Sequence, residues 1–293
     1  MAVIRPLSEA LTGAGVDLPA GAPVLEVKDV ALRFAGVKAL AGVSFEVRQG
    51  ELLAIIGPNG AGKTSLLNCL SGVYRPQTGQ ITFLGHKIIG AQPDEIARLG
   101  LARAFQNIAL FNNLTVLDNL MLGRHVHIRY GLLSAFVYRG KAKREEVRHR
   151  RIVEDIVDFL EIEQYRKLPV GLLPFGIKKR VELGRALAME PKLLVLDEPV
   201  SGMNAEEIED IARFILDIRE ELGVSMIMVE HEMGVVMDLA DRVLVLDFGH
   251  QIAFGVPSEI QRDARVIDAY LGEGPWSPEA TASATGEPIG GER

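Results

Sequence analysis

Between Pro23 and Glu51 apolar and polar residues alternate, first in "PVLEVKDVALRF" and again in "VSFEVRQGE". A period of two sends successive side chains to opposite faces, so both stretches predict strands, joined by turns and covered on one side. The pattern changes at Leu52, where "LLAIIG" is continuously apolar, as expected of a strand buried on both faces. A glycine-rich turn and the helix "KTSLLNCLSGVY" follow. Farther on, "KLLVLDE" and "VSMIMVE" predict two more buried parallel strands, separated by "AEEIEDIARFILDIREEL", whose apolar residues recur at helical spacing. The intervening section is mostly helical by pattern, and "REEVRHRRIVEDIVDFLEI" is its clearest amphipathic piece.

These patterns divide the chain into a core with a β portion over residues 23–95 and 188–272, and a helical subdomain, 96–187, inserted into it. Residues 1–22 and 273–293, rich in Ala, Gly and Pro without periodicity, are expected to be flexible tails. Short repeats are absent, which argues against a solenoid. The class is therefore α/β.

Composition narrows the function. A 293-residue chain with 48% hydrophobic and 24% charged residues reads as globular, with one large domain or two lobes. A formal charge of −7 and a pI near 5.5 argue against a nucleic-acid partner, which calls for a broad basic surface. The lone Cys69 cannot form an internal disulfide, and the start "MAVIRPLSEALTGAG" has no apolar signal core, so a reducing cytoplasm is expected. No apolar run approaches the roughly 18 residues needed to span a bilayer. Any membrane role must run through a partner.

Two motifs carry chemistry. "GPNGAGKT" matches the phosphate-binding pattern G-x-x-x-x-G-K-[ST], and it stands between an apolar strand and a helix, as that pattern requires. Gly57, Pro58, Asn59, Gly60, Ala61 and Gly62 would turn backbone N–H groups toward phosphates, with the helix N-terminus adding partial positive charge. Lys63 would reach the outer phosphates, Thr64 would hold Mg2+ and Ser65 would add a phosphate contact. "LLVLDE" sets Asp197 and Glu198 at the end of a buried strand, where a metal ion and an attacking water belong: Asp197 as metal ligand, Glu198 to orient or deprotonate the water. His231 ends another buried strand and could touch the outer phosphate, although a lone histidine there is more often structural.

The order of these motifs resembles the nucleotide-binding subunit of an ATP-binding cassette (ABC) transporter, from Val24 to Gly272. The resemblance implies ATP and Mg2+ as ligands and an ABC-type P-loop ATPase fold with an antiparallel β portion and an inserted helical subdomain. It implies that Phe34 in "LRFAG" stacks on adenine, that Gln106 in "AFQNIALF" links the metal site to the permease and that His231 is the switch histidine. Outside that order Phe34 would read as core and Gln106 as a solvated helix residue. "SGMN" falls on the loop after the catalytic glutamate, with Asn204 where many members have aspartate. In the signature loop, "LPFGI", Leu173, Gly176 and Arg180 keep their places, while Pro174, Phe175 and Ile177 depart from serine, glycine and glutamine. Leu173 and Gly176 would contact the nucleotide held by the opposite subunit, through backbone rather than a serine hydroxyl.

"GLARAFQNIALFNNLTVLDNLMLG", "MVEHEMGVVMDLADRVLVLDFG" and "SEIQRDARVIDAYLGE" are similar to the branched-chain amino acid uptake branch of that family. Subunits for urea, short amides and some carboxylates are alike, so these solutes stay open. The expected partners are integral-membrane permease subunits, a second ATP-binding subunit, identical or homologous, and, through the complex, an extracytoplasmic solute-binding protein. The expected location is peripheral, on the cytoplasmic face of the membrane. Phe105, Phe111 and Leu114 are candidate permease contacts, or ordinary lobe packing. A soluble ABC ATPase of DNA or ribosomes would call for a long coiled-coil insertion or two cassettes. A P-loop kinase has no use for "LDEP", "SGMN" and "VEH" in order. The basic run Arg139 to Arg151 reads as a solvated helix face, and His125 and His127 lack further ligands for a metal.

Overall fold

The computed structural model describes residues 23–105, 110–127 and 141–270. The tails expected at both ends and Gln106 lie outside these residues.

The alternating segments become β1 (Leu25–Phe34) and β2 (Val37–Val47), an antiparallel hairpin that turns through Ala35 and Gly36, both at positive φ. Two left-handed residues give the turn a twist that matches the strands. With β4 (Thr78–Phe83) and the two-residue β5 (His86–Lys87) they form a sheet in the order β2-β1-β4-β5.

The continuously apolar segments build the central sheet. β3 (Leu52–Ile56), β6 (Leu101–Ala104), β7 (Leu193–Asp197), β8 (Ser225–Val229), β9 (Arg242–Asp247) and β10 (His250–Gly255) run in the order β10-β9-β3-β8-β7-β6. All neighbours are parallel except β10, which returns antiparallel along β9. One face of β3 packs Leu53 and Ile55 with Leu66, Leu67 and Leu70 of α1 (Lys63–Leu70). In the other cluster Leu52, Ala54 and Ile56 are buried together with Ile211, Phe214, Ile215 and Ile218 of α6 (Ala205–Leu222). Each buried aliphatic side chain contributes roughly 1.5–3 kcal/mol, so two filled faces hold the carboxyl ends of β3, β7 and β8 in fixed relation.

The segment 96–187 is not wholly helical. After α2 (Pro93–Leu99) it supplies β6, the edge strand paired to β7 with Leu101 opposite Leu193. "LARA" is too short and too rich in alanine to carry a period, so the pairing, not the local pattern, makes it a strand. Beyond it, α3 (Val116–Gly123), α4 (Lys141–Phe159) and α5 (Phe175–Leu187) pack together; a Cβ at Gly184 would stand 2.9 Å from Leu160 Cδ1. Buried Arg124 ties these helices to the approach to β7: it donates to Ala188 O (2.6 Å) and to His149 Nδ1 (3.1 Å) and pairs with Glu190 (2.9 Å). His127 bonds Met189 O (2.9 Å), and among the described residues no group of three or more His, Cys, Asp or Glu could hold a metal. No described helix is long and apolar enough to cross a membrane.

Candidate nucleotide site

The loop from Gly57 to Gly62 leaves the carboxyl end of β3 and enters α1. Gly57, Gly60 and Gly62 have φ of 151°, 81° and 106°. A Cβ on Gly57 would collide with the carbonyl of Leu246, and one on Gly62 would stand 2.5 Å from Ala39 O. Glycine is therefore required by both conformation and space. Gly249, in the β9–β10 turn, pins the loop from outside, donating to Ala61 O and accepting from Ala41 N–H (both 2.9 Å). Lys63, only 7% exposed, turns its Nζ onto Gly57 O (2.6 Å) and Pro58 O (3.0 Å), across the mouth of the loop. Thr64 and Ser65 follow in the first turn of α1, whose leading N–H groups have no intrahelical acceptors. This is a cradle for an oxyanion chain. On the far side of α1, burial pushes the Cys69 thiol up to about 12, which keeps it unreactive.

Asp197 ends β7 and Glu198 follows it as the first residue of the loop. Asp197 is nearly buried and pairs with Arg103 of β6 at 2.6 Å; Arg103 also donates to Asn68 of α1 at 2.7 Å. Glu198 has a left-handed backbone, φ 56°, and remains partly exposed. A non-glycine residue in that region is strained by about 1–3 kcal/mol; here the surrounding bond Glu198 N–H to Val229 O (2.8 Å) holds it. His231, just past β8, brings Nε2 to 3.2 Å from Glu198 Oε1.

Glu230 organises that pair. It is 2% exposed, and its carboxylate accepts the N–H groups of Val200 and His231 (both 2.9 Å) and Glu232 (3.4 Å), so one side chain spans the loops after both strands. Burial raises its pKa, and the three N–H donors work against that rise. Lys179 of α5 lies beneath, its Nζ 4.8 Å from the Phe105 ring centroid and 5.7 Å from that of Phe175. Burial lowers its pKa against the pull of Glu182, Glu230 and Glu198. Arg103, Glu230 and Lys179 escaped the sequence reading. An acidic residue closing the apolar run "VSMIMVE" was the one available signal.

Phe34, 44% exposed, meets Tyr74 edge-on with ring centroids 5.0 Å apart, at the end of the hairpin sheet. Leu173 is buried, and Pro174 is the N-cap of α5, so Phe175, Gly176 and Ile177 form the first turn. Gly176 faces Glu207, whose Oε1 would be 2.7 Å from a Cβ there. Glu207 and Asn204 cap α6 reciprocally (Asn204 Oδ1 from Glu207 N–H, 3.0 Å; Glu207 Oε2 from Asn204 N–H, 3.2 Å). The loop Gly57–Ser65, Asp197, Glu198 and His231 thus gather at the strands' carboxyl ends, while Phe34 and the Leu173–Gly176 loop stand apart on other elements.

The family model described as "ABC transporter" matches residues 40–201, more than half of the chain. The chain belongs to the ABC transporter family. Its fold is the P-loop ATPase fold of ABC cassettes, with the antiparallel sheet and helical subdomain described above, and its chemistry is nucleotide binding and ATP hydrolysis. A second model, "Branched-chain amino acid ATP-binding cassette transporter", matches residues 250–275. The chain is 35% identical over 251 residues to the high-affinity branched-chain amino acid transport ATP-binding protein BraF of Pseudomonas aeruginosa, covering 86% of this chain and 98% of that protein. To LivG of Escherichia coli, of the same description, it is 33% identical with the same coverage. Among solved structures, the ADP conformation of an ATP-binding cassette from an ABC transporter superposes with a TM-score of 0.75 at 30% identity, over 86% of this chain and all of that one.

Proposed function

We propose that this ABC ATPase powers a membrane importer for branched-chain or other hydrophobic amino acids. The observation that carries the solute class is the match of residues 250–275 to the branched-chain model, supported by full-length likeness to relatives named for that transport. In this reading Gly57–Ser65 cradle the phosphates and Phe34 stacks on adenine. Thr64, Asp197 and Gln106 are the residues that would hold Mg2+. The residues fit it: the Thr64 hydroxyl stands in the first turn of α1, and the Asp197 carboxylate is tied through Arg103 to Asn68 of the same helix, and Mg2+ takes one or two protein oxygens plus phosphates and needs no dedicated cage. The ion would supply charge neutralisation at the phosphates.

Glu198 orients and deprotonates the water, and His231 holds Glu198 and senses the outer phosphate. Two subunits close with each nucleotide between Gly57–Ser65 of one and the Leu173–Gly176 loop of the other; hydrolysis releases them. Permease subunits dock on the helical subdomain, where Phe111 is 57% exposed and Leu114 lies beside it, whereas Phe105 is buried and serves packing. The subunit works on the cytoplasmic face, and an extracytoplasmic solute-binding protein joins through the permease.

The test is co-expression with candidate permease and solute-binding-protein subunits, reconstitution in liposomes, and ATPase assay with leucine, urea, a short amide or a carboxylate. Stimulation by leucine or valine is expected. Stimulation by urea or a short amide alone would overturn the solute class, and turnover indifferent to any membrane partner would overturn the transport role.

A further inference from the structure

Asp197 is a nearly buried carboxylate that already has a cation. Arg103 projects from β6 toward the face that α1 covers, as its neighbour Leu101 does, and Asp197 lies on that same face of β7 with Leu193 and Val195. Arg103 stands opposite Val195 in the register, so its side chain reaches two residues along β7 to meet Asp197 Oδ2 at 2.6 Å. Its other amino group donates to Asn68 Oδ1 at 2.7 Å. Nε is buried without a partner, so the guanidinium is held by these two contacts. We infer that Arg103 is a positioning residue that sets the metal threshold of the site: it neutralises Asp197 while no divalent cation is bound, and a cation arriving there must share the carboxylate with it.

The physical reason is the cost of an ionised carboxylate out of water, which is relieved only by an opposite charge. One guanidinium on Oδ2 relieves it and leaves Oδ1 open, but the positive charge it brings opposes a second cation nearby. In the sequence Arg103 stands three residues before Gln106, the residue read as the link to the permease. The inference rests on the reading of Asp197 as a metal-holding residue.

Binding of a fluorescent, non-hydrolysable ATP analogue to the full chain, titrated with Mg2+ and compared with EDTA, tests both. Arg103→Met should reach half-maximal Mg2+-dependent binding at a Mg2+ concentration lower by about threefold to tenfold, the size of a partly screened charge interaction. Its affinity in EDTA should stay near wild type. Its unfolding temperature should be lower than wild type in EDTA, and the gap should narrow when Mg2+ and analogue are added. Arg103→Lys should keep the wild-type threshold. Where Arg103→Met folds poorly, Arg103→Gln, which retains a donor for Asn68 without the charge, should lower the threshold instead. A neutral variant that needs the same or more Mg2+ than wild type, beside a Mg2+-dependent wild type, overturns the inference alone. A wild type whose analogue binding ignores Mg2+ overturns the metal reading together with it.

Discussion

His231 Nε2 lies 3.2 Å from Glu198 Oε1, so two residues 33 apart in sequence, just past the carboxyl ends of two adjacent parallel strands, present one polar pair. Glu198 is held in a left-handed backbone and His231 by the carboxylate of Glu230, so neither position is free to drift. If Glu198 is the general base, Glu198→Gln should bind ATP and turn over roughly 10^2 to 10^4 times more slowly. It should also accumulate a nucleotide-bound dimer in Mg2+-ATP. Sizing chromatography and phosphate release check this; near-normal turnover in the assembled transporter would remove Glu198 from the role.

Lys63→Ala removes the ammonium that lies across Gly57 O and Pro58 O. A charge-assisted contact to phosphate contributes roughly 1.5–3 kcal/mol, so nucleotide affinity should weaken on the order of 10-fold to 100-fold. Circular dichroism and the melting temperature should show a folded protein. Affinity and turnover within about twofold of wild type, against that expected loss, would contradict the phosphate-loop reading.

Much of this was legible in the chain because the motifs sit on elements with strong periods. The uninterrupted apolar runs ending at Ile56, Leu196 and Val229 could be read as buried strands, and their carboxyl ends carry the candidate site residues. The helix "AEEIEDIARFILDIREEL" has the same limits in the structure as in its pattern. Legibility failed where tertiary pairing decides. β6 has four residues and no period, so neither the strand nor the Arg103 contact to Asp197 could be seen. Glu230 and Lys179 look like surface charges in sequence; only the three backbone donors around one and the two aromatic rings near the other explain their burial.

Glu182 gives a prediction in pH. It is buried on α5 with one oxygen unpartnered, and burial raises its pKa above the ordinary value near 4.5, while Lys179, the Phe105 N–H and Arg185 pull it back. A raised folded pKa means the native state binds the proton more tightly than the unfolded chain. Its stabilising contribution is therefore complete below the ordinary value and is lost as pH rises through the raised one. Glutamine at 182 carries no proton equilibrium, so the stability of wild type relative to Glu182→Gln should decline as pH rises from the ordinary carboxyl range through the raised value. Urea melts at several pH values measure that difference; a relative stability that grows with pH would mean that Glu182 is stabilised as the anion.

The signature loop offers the sharpest contrast between two substitutions. Pro174 is the N-cap of α5, with φ −56° and ψ 157°, and its carbonyl accepts the Lys178 N–H at 3.0 Å. It has no side-chain acceptor for the first-turn N–H groups, which leaves the backbone of Phe175, Gly176 and Ile177 to meet an anion. Pro174→Ser adds a hydroxyl of the kind that caps helices, a gain of about 0.5–2 kcal/mol. Turnover in the assembled transporter should therefore stay within about tenfold, since one neutral hydrogen bond is involved. Gly176→Asp should nearly abolish turnover by setting a carboxylate against phosphate. Glu207 complicates that result, because its Oε1 would lie 2.7 Å from the new Cβ and two carboxylates would repel within one subunit. The double variant Gly176→Asp with Glu207→Ala, which removes both the charge and the crowding atoms, separates the causes. If it stays inactive while Glu207→Ala alone turns over ATP, the carboxylate acts on the nucleotide of the opposite subunit. If turnover returns in the double variant, the loss came from within the subunit, and the loop at Gly176 does not sense phosphate.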